Sequence, residues 1–277
     1  MTYPPQQPET SGWSSQPGGT PPGRPKTALI VGAVAVTLIV LGGVTAWALW
    51  PPTQTQGTAL GAPTASTALP STSAATTLCQ YSPTPDQPSA KDVGLPDTPS
   101  RAEASGTVQV TLKTNQGDIP MTLDRLKAPC TVQNFLFLAK KKYFDGTPCH
   151  RLTINPGFKV LQCGDPIGTG TGGPGYVFAD ELPKDFTPAD AETVVYPTGT
   201  VAMANAGPGT NGSQFFLVYS DTKLPPHYSV FGTYNAAGQT TIDKIAANGV
   251  NPAPERQNPG DGAPKTPVTI QQAAVEG

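Results

Sequence analysis

The chain has 277 residues, only 13% of them charged, with 33 prolines, 30 glycines and a formal net charge of −2. Without a basic stripe to neutralise phosphates, nothing in this balance supports a nucleic-acid partner. The prolines crowd residues 1–25, 51–100 and 252–267, and the stretch between the last two looks like an ordinary globular sequence. Four cysteines are present, Cys79, Cys130, Cys149 and Cys163. An even number fits two disulfides outside the reducing cytoplasm, and the cysteines alone do not choose among the possible pairings. With His150 and His227 they show no ligand spacing, so neither a metal nor a cofactor is expected.

Residues 1–27 are rich in Pro, Gln, Gly and Ser without apolar periodicity, which predicts a disordered tail. Residues 28–50 carry no charge, and about 23 residues are long enough to cross a bilayer core of ~30 Å. Arg24 and Lys26 precede this run, and no basic residue follows until Lys91. The positive-inside rule therefore predicts a single-pass protein of the cell membrane, with a cytoplasmic N-terminus and everything after Trp50 outside. Trp47 and Trp50 suit the outer interface. A cleaved signal peptide is the alternative, because Ala46-Trp47-Ala48 fits a small-x-small cleavage pattern. Either way the rest of the chain is extracytoplasmic.

Residues 51–105 read as a solvated Pro/Ser/Thr-rich spacer, with Cys79-Gln80-Tyr81 as an island that hints at pinning to the domain. The globular domain is expected over 106–277. Val108, Val110 and Leu112 alternate with polar residues, Asn115-Gln116-Gly117 signals a turn, and Ile119, Met121 and Leu123 alternate again, which predicts a β-hairpin. Val132, Phe135, Leu136, Ala139 and Tyr143 recur at helical spacing after Pro129-Cys130-Thr131. Short strands are predicted around 149–153, 159–163, 199–205, 213–219 and 228–233, a short helix over 241–247 and a last strand over 267–274. Many short strands with two helices point to a mainly β fold, a closed antiparallel barrel capped by those helices.

The segment from Gly199 through Met203, Ala204, Asn205 and Ala206 to Gly212-Ser213-Gln214-Phe215-Phe216 closely resembles the signature of cyclophilins, the peptidyl-prolyl cis-trans isomerases. Cys149-His150-Arg151, Asn155-Pro156-Gly157-Phe158, Gln162-Cys163-Gly164-Asp165, Gly170-Thr171-Gly172-Gly173 and Val230-Phe231-Gly232 are similar to other segments of that family. The resemblance covers roughly 106–275. It implies an eight-stranded barrel with a peptide groove on its outer face, and proline-containing secreted or envelope polypeptides as partners.

In that groove Arg151, Gln214 and Phe216 would be catalytic. Phe158, Phe216 and Leu224 would receive the proline ring. Gln162 and Gln214 would bind the substrate backbone, Asn205 with Ala204 and Ala206 would form the edge where the peptide lies, and Met203 would also contact substrate. Gly170, Thr171 and Gly172 would border the pocket. Three departures from the family pattern stand out. Eleven positions separate Arg151 from Gln162, about three more than the pattern has, so the intervening hairpin must bulge and either Phe158 or Val160 could face the pocket. Lys223 stands where many cyclophilins carry a tryptophan that contacts cyclosporin, so weakened cyclosporin binding is expected. Tyr228 stands where a histidine is common and would still contact substrate with its aromatic face and hydroxyl.

His150, next to Arg151 on a strand, should face the other way as a core histidine. Asn211-Gly212-Ser213 fits a glycosylation sequon but belongs to the family signature, and it is read as incidental. With Cys149 and Cys163 on what should be neighbouring strands, Cys79 is left to pair with Cys130. A non-catalytic proline-peptide binding module or chaperone tethered to the envelope is the alternative to an enzyme.

Overall fold

The alternating segments Thr107–Thr114 and Gly117–Asp124 pair in antiparallel register from Thr107↔Asp124 to Thr114↔Gly117. Their inward residues Val110, Leu112, Ile119 and Leu123 are fully buried, as a period of two on a half-buried sheet requires. These elements come from a computed structural model that describes residues 75–253 and 258–276, all within the unit Thr67–Gly277. The expected tail, the apolar 28–50 run and the spacer up to residue 74 lie outside the described residues. Among the described residues no helix is long and apolar enough to cross a membrane.

Helix α1 spans Pro129–Lys140 and helix α2 spans Ala236–Ala247. Pro129 opens α1 at a position where its missing N–H costs nothing. The preceding Ala128 cannot cap with its side chain; the Glu181 carboxylate does so from far along the chain, accepting from Cys130 N at 3.0 Å and Thr131 N at 2.8 Å. Helix α2 begins five residues earlier than the apolar pattern predicts. Asn235 caps it by accepting from Ala237 N and Gly238 N, and the small first-turn residues carry no periodicity to read.

The main sheet is mainly antiparallel and hydrogen-bonded over 11 strands, from Val250–Pro252 at one end to Thr147–Pro148 at the other. This corrects the expected closed eight-stranded count, because the two ends of the ladder are not paired with each other. Two causes are visible. The strand expected over 149–153 is split at Cys149-His150: Thr147–Pro148 pairs with Thr269–Val275, whereas Arg151–Thr153 pairs with Val160–Cys163. The Pro/Gly-rich stretch near the C-terminus also adds a hairpin, Val250–Pro252 with Asp261–Pro264, whose second strand pairs with Arg151–Thr153. Inside the sheet a core around Phe135, Phe144, Phe215 and Phe231 is buried and aromatic, with Phe135 stacked on Phe144 at 4.8 Å.

The spacer reading ends at Thr76. Thr76–Cys79 pairs with Ser100–Glu103, and Tyr81–Pro83 pairs with Tyr176–Phe178. Tyr81 is 2% exposed, lies edge-on to Tyr176 and Phe178, and donates its hydroxyl to Cys130 O at 3.1 Å. Burial pushes that phenol's pKa well up. Composition averaged over the segment hides these few anchoring side chains. The disulfides are Cys79–Cys130 and Cys149–Cys163, as expected. Asn211 is fully buried, and its amide donates to Asp180 Oδ1 at 2.8 Å and Ala179 O at 3.2 Å, so the sequon is a structural element.

Candidate active site

A second, smaller apolar cluster lies apart from the main core: Val160, Tyr196, Ala202, Phe216, Val218 and Val230. Strands Val160–Cys163, Phe215–Val218 and Thr200–Met203 place Val160, Phe216, Val218 and Ala202 at alternate positions, with the intervening ones in the main core. Phe158, Leu224 and Tyr228 pack against this cluster. Phe216 meets Tyr228 edge-to-face at 5.4 Å and Tyr196 at 6.3 Å. Burial pushes the Tyr196 phenol up to about 12.

On this floor sits a small cavity of about 100 Å³, lined by Arg151, Phe158, Val160, Phe216, Leu224 and Tyr228, with Gln162, Ala204 and Asn205 at its edge. The bulged hairpin explains how Phe158 and Val160 both reach it. Thr153 Oγ1 accepts from Val160 N at 2.9 Å, and Asn155 O accepts from Phe158 N at 3.1 Å, so the extra residues fold into a tight turn.

Arg151 reaches the rim from Arg151–Thr153 and is held on two sides. Its Nε donates to Asp261 Oδ1 at 2.8 Å and its Nη2 to Asp261 Oδ2 at 2.7 Å. Its Nη1 donates to Gln162 Oε1 at 3.2 Å. The planar group also lies 5.3 Å from the Phe158 ring centroid. Three of the five guanidinium N–H groups are engaged in this way. The chain of amides continues: Gln162 Nε2 donates to Gln214 Oε1 at 2.9 Å, and Gln214 Nε2 to Gly170 O and Gly172 O, each at 2.9 Å. Gln214 therefore holds a loop in place, and it does not line the Arg151 cavity.

That loop is braced from behind by Asp165, which is fully buried. Its carboxylate accepts from Ile167 N at 2.8 Å, Thr169 N at 3.1 Å and Gly170 N at 2.7 Å. Burial works against the ionised form, but N–H groups of Gly172, Ile167 and Gly170, with His150 nearby, outweigh it and hold the pKa below its ordinary value. His150 is half-buried against this loop beside Gly170, rather than inside the barrel core.

Of the expected site residues, Arg151, Phe158, Gln162, Ala204, Asn205, Phe216, Leu224 and Tyr228 converge on one cavity. Gly170, Thr171, Gly172, Ala206 and Gln214 line a second, adjoining pocket. Met203 is a correction: it is 1% exposed and belongs to the main core. The alternation that turns Ala202 and Ala204 outward turns Met203 inward. Sequence reasoning missed Asp261, which sits in a Pro/Gly-rich stretch with no local signal of a role. It also missed Tyr196, which stands in a short strand that carries no motif.

The site is thus a guanidinium held in place at a small, largely apolar cavity with aromatic walls. The sequence model of the cyclophilin type peptidyl-prolyl cis-trans isomerases matches residues 108–275, and the chain belongs to that family. It is 52% identical over 202 residues to a Mycobacterium tuberculosis protein named probable peptidyl-prolyl cis-trans isomerase B, covering 72% of this chain and 64% of that one. The chain thus spans somewhat less than two thirds of that relative's length. It is 43% identical over 183 residues to the Streptomyces anulatus peptidyl-prolyl cis-trans isomerase B, covering 60% of this chain and 95% of the relative. The crystal structure of a Cryptosporidium parvum cyclophilin type isomerase superimposes with a TM-score of 0.50 at 30% identity, covering 62% of this chain and 99% of that one.

Proposed function

We propose that the protein is a peptidyl-prolyl cis-trans isomerase that accelerates X–Pro rotation in proline-containing secreted or envelope polypeptides. The observation that carries this reading is the Arg151 guanidinium, oriented by Asp261 at the mouth of an apolar cavity built from Phe158, Val160, Phe216 and Leu224. An X–Pro amide is held planar by resonance, with a rotation barrier of ~20 kcal/mol. With the ring in the cavity, a guanidinium N–H directed at the prolyl nitrogen favours the pyramidal nitrogen of the twisted state. That bond strengthens along the reaction, so it lowers the barrier and does not merely tighten binding. A charge-assisted hydrogen bond contributes about 1.5–3 kcal/mol. At about 1.4 kcal/mol per tenfold, that is roughly 10- to 100-fold in rate.

The setting we propose is extracytoplasmic, with residues 28–50 as a membrane anchor. The uncharged run behind Arg24 and Lys26 supports it, as do two disulfides in the domain, which persist in oxidising compartments. The test is isomerisation of a short proline peptide by the full chain purified in detergent, beside Arg151→Ala. The expected outcome is turnover that the substitution reduces at least tenfold. Peptide binding without any turnover would leave a non-catalytic proline-peptide module instead. Protease accessibility on intact cells tests the topology separately.

A further inference from the structure

The domain's N-terminal strap does more than cover the barrel. Residues Tyr81–Pro83 pair with Tyr176–Phe178, and the contact continues as Thr84 N donates to Gly175 O and Ala90 N to Gly173 O, both at 2.9 Å. Gly175 has φ +81°, and a Cβ there would stand 2.9 Å from Ser89 N. Only a glycine lets the strap lie this close to the loop. Both flanks of the strap are tied down. Cys79 is bonded to Cys130, and the Lys91 ammonium donates to Lys142 O at 2.6 Å and Asp145 O at 3.1 Å.

Between strap and loop lies a pocket of about 560 Å³, which shares Gln162, Ala204 and Asn205 with the Arg151 cavity. Thr84, Gln87 and Pro88 form its outer wall, and all three precede the 108–275 segment that defines the family. We propose that this strap is a specificity-determining part of the groove, walling a subsite that takes an uncharged side chain flanking the proline of the same peptide. The inference rests on the isomerase reading above. Its chemistry follows from the lining. Thr84, Gln87 and Thr171 offer hydroxyls and an amide, Ile167 and Pro88 offer apolar surface, and no lining residue carries a charge. A charged side chain entering here loses water without gaining an ionic partner, whereas an amide, hydroxyl or apolar one finds matched surroundings. The subsite is also wired to the reacting centre, since the Gly170–Gly172 loop is bonded through Gln214 and Gln162 to Arg151.

The test measures kcat/KM of the full chain on proline peptides carrying Gln, Leu, Glu or Lys at each position flanking the proline. It is repeated with Gln87→Glu and Gln87→Lys, both at an exposed position. The expected result is that the unsubstituted protein disfavours Glu and Lys at one flanking position. At that same position Gln87→Glu should raise the Lys:Glu preference about threefold and Gln87→Lys should lower it about threefold, the size of an exposed ion pair. Each readout is a ratio within one variant, so it does not depend on the total activity that the substitution leaves. Identical preferences in all three proteins at every position would overturn the inference while leaving the isomerase reading intact. Turnover of no peptide at all would overturn the isomerase reading, and this inference with it.

Discussion

Arg151 and Asp261 face each other across two adjacent strands in a two-pronged pair, Nε to Oδ1 at 2.8 Å and Nη2 to Oδ2 at 2.7 Å. The Asp261 side chain is 7% exposed and that of Arg151 is 21%. A fork this well matched fixes the plane and direction of the guanidinium as well as its charge. Asp261 touches no part of the cavity that a peptide would fill, so it acts as a positioning residue for Arg151.

Substituting Asp261→Ala should lower kcat/KM roughly tenfold, mostly through kcat, because the lost bonds orient Arg151 and do not hold the peptide. Leaving the Arg151 charge half-buried without its partner should also destabilise the fold by about 1–3 kcal/mol. Asp261→Glu, which keeps the carboxylate, should recover part of the activity. Steady-state kinetics with a denaturant titration of each variant checks this, and a pure KM effect would argue against positioning.

Removing the strap should weaken the domain. A chain beginning at residue 106 loses the Cys79–Cys130 cross-link, which closes 51 residues, and uncovers Tyr176 and Phe178. Loss of a disulfide of this span costs about 2–4 kcal/mol. Chains starting at residues 67 and 106, compared by thermal unfolding with and without reductant, should differ by several degrees when oxidised. That gap should narrow once reductant opens the bond. Equal midpoints would mean that the strap is dispensable.

Acid should release the loop behind the groove. The Asp165 pKa is lowered in the folded state relative to its ordinary 3.8, so its contribution to stability is fully present above the ordinary value. It is lost as pH falls through the depressed folded value. Stability owed to this residue should therefore be flat from about pH 5 to 8 and begin to fall below about pH 4. Asp165→Asn should be destabilised at neutral pH and show less of that acid-side slope. Unfolding midpoints measured against pH would reveal the difference, and a slope unchanged by the substitution would refute the assignment.

Lys223 is exposed on the strand Thr222–Leu224, between buried Thr222 and the pocket residue Leu224. At this position the chain presents a lysine and no aromatic side chain. Cyclosporin inhibition should therefore be weak, and Lys223→Trp should strengthen it about tenfold or more by adding apolar area and an indole N–H. Isomerisation of a short peptide should change little. Inhibition titrations on both proteins decide the matter, and strong inhibition of the unsubstituted chain would contradict it.

The hairpin from Thr107 to Asp124, helix α1, and the strand pair carrying Met203–Phe216 were legible in the chain, because their apolar periods are local and strong. The residues of the Arg151 cavity were also legible, because a long motif names positions whatever lies between them. Met203 was misjudged within that motif, since membership does not say which face of a strand a side chain takes.

The amino-acid sequence by itself determined the family, the mainly β architecture with two helices, the even set of cysteines and the identity of Arg151. Each of these rests on patterns carried by neighbouring residues. Only the tertiary structure decided that Asp261 holds Arg151, that residues 76–103 belong to the folded domain, and that the ladder ends at the break around Cys149-His150. Asp261 and Arg151 are 110 positions apart, and Tyr81 meets Tyr176 and Phe178 from nearly as far. Contacts of that range leave no trace in local composition or period, since they arise when non-local strands pair and bury a few side chains together.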